Sequence, residues 1–211
     1  MQIMSDRLSK VPLFPLTVNV LPGGILPLQI FEPKYIDMVK ACMSNEVGFI
    51  VALTKQSKSL KENLIIENFS ISTYVEIIDF DLLENGLLGI SVKGLHRVEI
   101  LDIEVQEDGL LIADADIVLE ENSSVFKKDF KNIWQVLQQI SDHPEVKKMG
   151  IQIDFGSSSS VVHSLGNLLP LTSIEKQEIL DKKSDRERLE FLDELINKFG
   201  GVNNSNQDLQ A

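Results

Sequence analysis

Two turn dipeptides constrain this chain more than any other feature. Asn85-Gly86 and Asp108-Gly109 are pairs that tolerate the positive φ angles of a tight type I′ hairpin turn. The residues around them alternate between apolar and polar, as in Val75-Glu76-Ile77, Asp79-Phe80-Asp81 and Ala113-Asp114-Ala115-Asp116-Ile117, the period of a strand with one solvated face. Three antiparallel strands are therefore predicted. Between the turns, Val98-Glu99-Ile100 keeps one phase and Leu101-Asp102-Ile103-Glu104-Val105 the opposite one. Without a bulge or strand end near Leu101, core and solvent faces would exchange.

The rest of the first 120 residues is also mostly extended. Val11 to Val20 carries Pro12 and Pro15 and suits an extended sheet edge, because proline cannot donate to a ladder. A turn at Pro22-Gly23-Gly24 leads to a short strand, Ile25 to Ile30. Pro33 then opens a helix with Ile36, Val39 and Met43 at helical spacing, broken at Ser44-Asn45. Phe49 to Leu53 is a buried strand, and Thr54 to Asn63 reads as an exposed loop.

After Asn122 the period changes. Phe126, Phe130, Ile133, Trp134, Leu137 and Ile140 form the stripe of an amphipathic helix closed by Pro144. Val161 to Leu169 follows a Gly/Ser stretch as a second helix. Capping boxes at Thr172 to Glu175 and Ser184 to Glu187 open helices near 173–181 and 185–199, the last with Leu189, Leu192, Leu195, Ile196 and Phe199 inward. Gly200-Gly201 is expected to stop it. The expected organisation is α+β, with strands and one short helix over 1–120, a helical bundle over 121–199 and a flexible tail over 200–211.

Charge and cysteine narrow the function. Residues 61–120 hold 3 basic and 14 acidic side chains, most of the chain's net −12, so a surface built from them repels phosphate backbones and nucleic acid is not an expected partner. The alternating strands predict one strongly acidic sheet face. A single cysteine, Cys42, excludes an intrachain disulfide and reads as a buried thiol on a helix face. Apolar runs of about five residues are too short for an export signal or a membrane span, and a cytoplasmic, membrane-free protein is expected.

Catalytic patterns are absent from the sequence: no phosphate-loop, dinucleotide, zinc-protease or nucleophile-elbow motif is present. His96, His143 and His163 lack ligand spacing. Ser91 and Lys93 share a strand face, but the surrounding residues suggest neither a desolvated amine nor an oxyanion hole. Glu76, Asp79, Asp81, Asp114 and Asp116 alternate with apolar residues as a solvated face does, without the compact glycine-rich spacing of a calcium loop. No cofactor, metal site or catalytic residue is expected.

One set of residues carries a family likeness. Val11-Pro12-Leu13-Phe14-Pro15-Leu16, Leu21-Pro22-Gly23-Gly24 and Leu26-Pro27-Leu28-Gln29-Ile30-Phe31-Glu32-Pro33-Lys34-Tyr35 resemble the N-terminal domain of ATP-dependent Lon proteases, and more closely the stand-alone bacterial proteins made of that domain. The likeness continues through Ile77-Ile78-Asp79-Phe80-Asp81, Gly94-Leu95-His96-Arg97-Val98-Glu99-Ile100 and Asp108-Gly109-Leu110-Leu111, and more thinly through Leu169-Pro170-Leu171 and Glu175 to Leu180. Lys34 stands where the family usually has arginine, and Val98 where it often has phenylalanine.

The resemblance implies a PUA-like β-barrel followed by a helical bundle. It implies substrate recognition without chemistry, since the ATPase and peptidase of the relatives belong to later domains that this chain is not expected to contain. The expected function is a non-catalytic module or adaptor that binds unfolded or apolar polypeptide, or a protein partner. Phe14, Pro22, Gly23, Ile25, Phe31 and Tyr35 are the candidate partner-binding residues, with the competing reading that Phe14, Phe31 and Tyr35 close the barrel against the short helix. An enzyme or small-ligand binder using the groove between barrel and bundle is the alternative, and RNA binding a third.

Overall fold

The computed structural model describes residues 7–54, 71–120, 129–148 and 153–205, with backbone alone for 200–205. The loop expected after Thr54 and the Phe126 turn of the first bundle helix lie outside these residues. The chain divides into two compact units, Met1–Leu119 with Leu171–Asp181, and Glu120–Pro170 with Lys182–Ala211. Among the described residues no helix is long and apolar enough to cross a membrane.

The first unit is built on six strands, β1 (Arg7–Leu16), β2 (Ile25–Ile30), β3 (Phe49–Leu53), β4 (Ile71–Leu82), β5 (Leu88–Val105) and β6 (Leu111–Ile117), with helix α1 (Pro33–Asn45) between β2 and β3. Their order is β2-β5-β4-β3-β1-β6, and β5 pairs with β6 as well, so β1, β3, β4, β5 and β6 close into a ring with β2 appended to β5. All pairings are antiparallel except β1–β3.

Strand β1 corrects the expectation of a sheet edge. It pairs with β6 from Arg7 to Leu13 and with β3 from Leu13 to Leu16, and so changes partner at Leu13. Pro12 falls on the stretch that pairs only with β6 and Pro15 on the stretch that pairs only with β3. Each proline is thus paired on one side only, so the position of its missing N–H can face the unpaired side, and a strand inside the sheet order accepts both.

The two turns lie where expected but differ in type. Asn85 and Asp108 keep negative φ, and only Gly86 (φ 78) and Gly109 (φ 82) are left-handed. Gly86 N–H donates to Leu83 O and Leu83 N–H to Leu87 O, and Gln106, Gly109 and Leu110 repeat the pattern. Each loop is therefore a type I turn followed by a left-handed glycine, the usual three-residue hairpin. The Asn85 and Asp108 side chains accept the N–H groups of Leu87 and Leu110, which fixes the loop without positive φ at the first residue. The register shift between Ile100 and Asp102 is the bulge that the phase change at Leu101 requires.

Both faces of the sheet are covered where β3 runs, since all five of its residues are buried. One layer holds Phe14, Ile30, Phe49, Val51, Val75, Ile90 and Val92 under α1. The opposite layer holds Leu13, Ile50, Ala52, Val98, Leu111 and Ala113. Helix α1 buries Tyr35, Met38, Val39 and Cys42; the inward face is offset from the expected stripe, and Met43 is exposed. Burial raises the Cys42 thiol pKa, as suits an inert core cysteine. The turn Leu21–Gly24 is laid on β5 by reciprocal bonds, Gly23 N–H to Gly94 O and Gly94 N–H to Gly24 O. A Cβ on Gly94 would stand 2.5 Å from Leu21 O, so that contact requires glycine.

A helix from late in the sequence belongs to this unit. Helix α5 (Ser173–Asp181) opens with the expected capping box, Thr172 Oγ1 accepting from Glu175 N–H and the Glu175 carboxylate from Thr172 N–H. Buried Arg97 donates from Nε (3.0 Å) and Nη2 (2.6 Å) to Leu180 O. Gln177 accepts from Asn19 Nδ2 and donates to Ile71 O.

The second unit contains α2 (Lys131–Asp142), α3 (Pro144–Lys148), α4 (Ser158–Leu168) and α6 (Asp185–Ser205). Ile133, Trp134, Leu137, Val161, Val162, Leu165, Leu189, Leu192 and Leu195 are among its buried apolar residues. Arg188, buried, pairs with buried Asp185 at 2.6 Å and with Glu120 at 3.2 Å, and Ser159 donates to Asp185. Phe199, expected inward, is exposed. The backbone of α6 also passes through Gly200-Gly201 to Ser205: glycine costs about 1 kcal/mol in a helix, and that penalty alone does not end one.

Replacing Arg97 by alanine strips the buried Leu180 carbonyl of its charged donor and should lower the unfolding free energy by about 2–4 kcal/mol in urea titration. Gly86→Ala should cost about 1–2 kcal/mol through its left-handed backbone.

Candidate functional site

The six residues singled out by sequence separate by burial. Phe14 and Tyr35 are core: their rings lie 4.1 Å apart, and Phe14 is 6.0 Å from Phe49. Pro22 is buried under the turn. Gly23, Ile25 and Phe31 face solvent, the last two at 56% and 67%. Ile25 opens β2 and Phe31 follows it, so the exposed pair brackets one strand, while Phe14 and Tyr35 support that region from within.

Further apolar surface lies on β4, where sequence reasoning placed only acid. Ile30, Leu88 and Leu82 are in register across β2, β5 and β4, as are Leu28, Ile90 and Phe80. Each row starts in the core layer under α1 and runs out to an exposed side chain, Leu82 at 73% and Phe80 at 59%. Past Val75, β4 has no strand on its other side among the described residues, so nothing described continues the layer beyond them. A surface groove of about 310 Å³ follows this region, with Pro27, Gln29, Asp79, Phe80 and Asp81 on its walls. A second hollow, of about 390 Å³, lies where the end of α1 meets β4, between Met43, Val47, Ile77 and Leu95, with Glu46 and Glu76 on its walls.

The backbone edges beside these surfaces are blocked. Hydrogen-bonded pairs alternate along an antiparallel ladder; because Gly94 bonds Gly24, Leu26, Leu28 and Ile30 bond β5, and Ile25, Pro27 and Gln29 face outward. Pro27 has no N–H to offer at the centre of that edge. On β4 the N–H groups of Phe80 and Leu82 donate to the carboxylates of Asp79 (2.9 Å) and Asp81 (2.7 Å). Proline and charge on free edges are the devices that prevent strand addition.

The expected acidic face is formed by β5 and β6, where Glu99 stands opposite Asp116 and Asp102 opposite Asp114. Like charges in these positions repel, and β1 supplies the countercharge. Arg7 Nη2 lies 3.6 Å from Asp114, and Lys10 pairs with Glu104. Lys10 has a left-handed backbone (φ 56) in the bulge between Leu8 and Val11. Its N–H (2.9 Å) and the Ser9 hydroxyl (3.0 Å) donate to Asp114 Oδ1. These bonds, with Arg7 adding, hold the Asp114 carboxyl below the usual aspartate range. No group of three or more potential metal-ligating side chains is assembled among the described residues.

A depressed pKa stabilises the fold above the ordinary aspartate value, and the contribution disappears as pH falls through the lowered one. Between about pH 4 and pH 2, the wild-type chain should therefore lose stability more steeply than Asp114→Asn, read by thermal melts across that range.

The model of the ATP-dependent protease La (LON) substrate-binding domain matches residues 10–198. Lon protease of Bacillus thuringiensis (strain Al Hakam) is 26% identical over 205 residues, covering 93% of this chain and 25% of the relative. Lon protease of Buchnera aphidicola subsp. Acyrthosiphon pisum is 23% identical over 194 residues, covering 89% and 25%. The chain thus spans about a quarter of the length of the curated relatives it matches. Among solved structures, a Lon N-terminal domain protein from Xanthomonas campestris superposes with TM-score 0.68 at 24% identity, over 88% of this chain and 97% of that one. The N-terminal domain of Mycobacterium avium complex Lon protease gives 0.67 at 18% identity, over 89% and 98%. Both share the fold.

Proposed function

The chain belongs to the ATP-dependent protease La (LON) substrate-binding domain family, and from that premise we propose that it is a non-catalytic module that binds unfolded or apolar polypeptide, acting as an adaptor in the cytosol. The observation that carries this reading is the match over residues 10–198, a region that in the relatives amounts to about a quarter of the chain. The closed ring of strands is read as PUA-like. No cofactor enters the proposed action.

The side chains fit capture rather than chemistry. Ile25 and Phe31 stand exposed at the two ends of β2, with Gly23 beside them in the turn. Phe14, Pro22 and Tyr35 contribute by holding that turn and strand against the core. Exposed aromatic and aliphatic side chains gain most when a partner removes them from water. With the β4 edge bonded to its own carboxylates and the β2 edge interrupted by Pro27, recognition proceeds through side chains, which tolerates varied client sequences.

Immobilised chain should retain reduced, alkylated lysozyme and lactalbumin and release their folded forms. Ile25→Ser with Phe31→Ser should weaken that retention by about tenfold with an unchanged circular dichroism spectrum. Equal capture of folded and unfolded clients, or none of either, would refute the reading.

A further inference from the structure

We propose that β4 is a docking track for a basic, extended polypeptide segment, with one long cationic side chain of that segment entering the hollow between α1 and β4. The proposal rests on the polypeptide-binding reading above and names the chemistry of the segment. The hollow combines apolar walls from Met43, Val47, Ile77 and Leu95 with two carboxylates, Glu46 and Glu76. That combination fits a lysine or arginine, whose methylene stem packs on apolar surface while its head seeks charge. Glu46 and Glu76 are both exposed, and neither has an ion-pair partner among the described residues. Lys93 stands opposite Glu76 in the β4–β5 ladder and does not line the hollow.

The track continues in the same strand. From Glu76 to Asp81 is about 17 Å at the rise of an extended chain, and over that distance β4 alternates exposed Ile78 and Phe80 with Asp79 and Asp81. Successive side chains point to opposite faces, so a segment lying along this free edge has Phe80 and Leu82 on one side and Glu76, Asp79 and Asp81 on the other; a segment with an apolar face and a lysine or arginine face is its complement, and acidic segments are rejected. Because the Phe80 and Leu82 N–H groups already bond Asp79 and Asp81, the segment docks through side chains and does not add a strand.

The test is fluorescence anisotropy with short labelled peptides of leucine, serine and lysine, against the same peptides with glutamate for lysine. The lysine peptide should bind about tenfold or more tightly, lose affinity as salt rises, and keep its affinity when its backbone is N-methylated at alternate residues. Glu46→Gln with Glu76→Gln should remove most of the preference, and Phe80→Ser with Leu82→Ser should weaken both peptides; all four side chains are on the surface, and circular dichroism checks each fold. Equal binding of the two peptides, indifference to salt, or an undiminished preference in the glutamine variant would overturn the proposal. If unfolded clients are still captured through Ile25 and Phe31 in that event, only this inference fails and the polypeptide-binding reading stands.

Discussion

The first unit depends on β5 pairing with three strands. It takes β2 on one side near its start, β4 on the other, and β6 over its second half. A single face-to-face register could not serve all three, because the sheet must turn to bring β6 back to β1. The bulge at Leu101 resolves this: one extra residue bends the strand and reverses its phase. The acids that follow, Asp102 and Glu104, thereby stay on the same outward face as Glu99, while Ile100 and Ile103 stay with the apolar layer.

Closure also explains where the negative charge goes. A sheet lined with apolar residues inside must put its alternate residues outside, and in this segment those are mostly carboxylates. They are managed in two ways. On β5 and β6 they are countered by Arg7 and Lys10 and by the hydrogen bonds that Asp114 accepts. On β4, Asp79 and Asp81 turn back to their own strand and occupy its free N–H groups. The second arrangement protects an edge and leaves Phe80 and Leu82 exposed beside charge, which makes the same strand both resistant to strand addition and suited to side-chain recognition.

Much of this was legible in the sequence, because it depends on local period and turn chemistry. The strands from Ile25 to Ile30 and Phe49 to Leu53, the helix from Ser173 to Asp181, and the bulge at Leu101 all follow from spacing. What was not legible depends on distant contacts. The pattern showed that β1 is extended but not that two different strands would take its two prolines. It located the glycines of both hairpins, but the turn type was decided by the Asn85 and Asp108 side chains bonding two residues ahead. Helix α5 looks like a bundle helix until Arg97, more than eighty residues earlier, is seen to hold the Leu180 carbonyl in its last turn. Phe14 and Phe31 are equally apolar in sequence, and only the position of α1 makes one core and the other surface.

The central claim is that this chain captures unfolded polypeptide on the β2–β4 side of its sheet unit. Amide and methyl chemical-shift mapping of the full chain, titrated with a reduced and alkylated client, tests it most directly. The account predicts perturbations concentrated at Ile25, Phe31, Ile78, Phe80 and Leu82, with the residues around Leu165 and Leu192 unmoved. Perturbations confined to those helices, or none at saturating client, would contradict it.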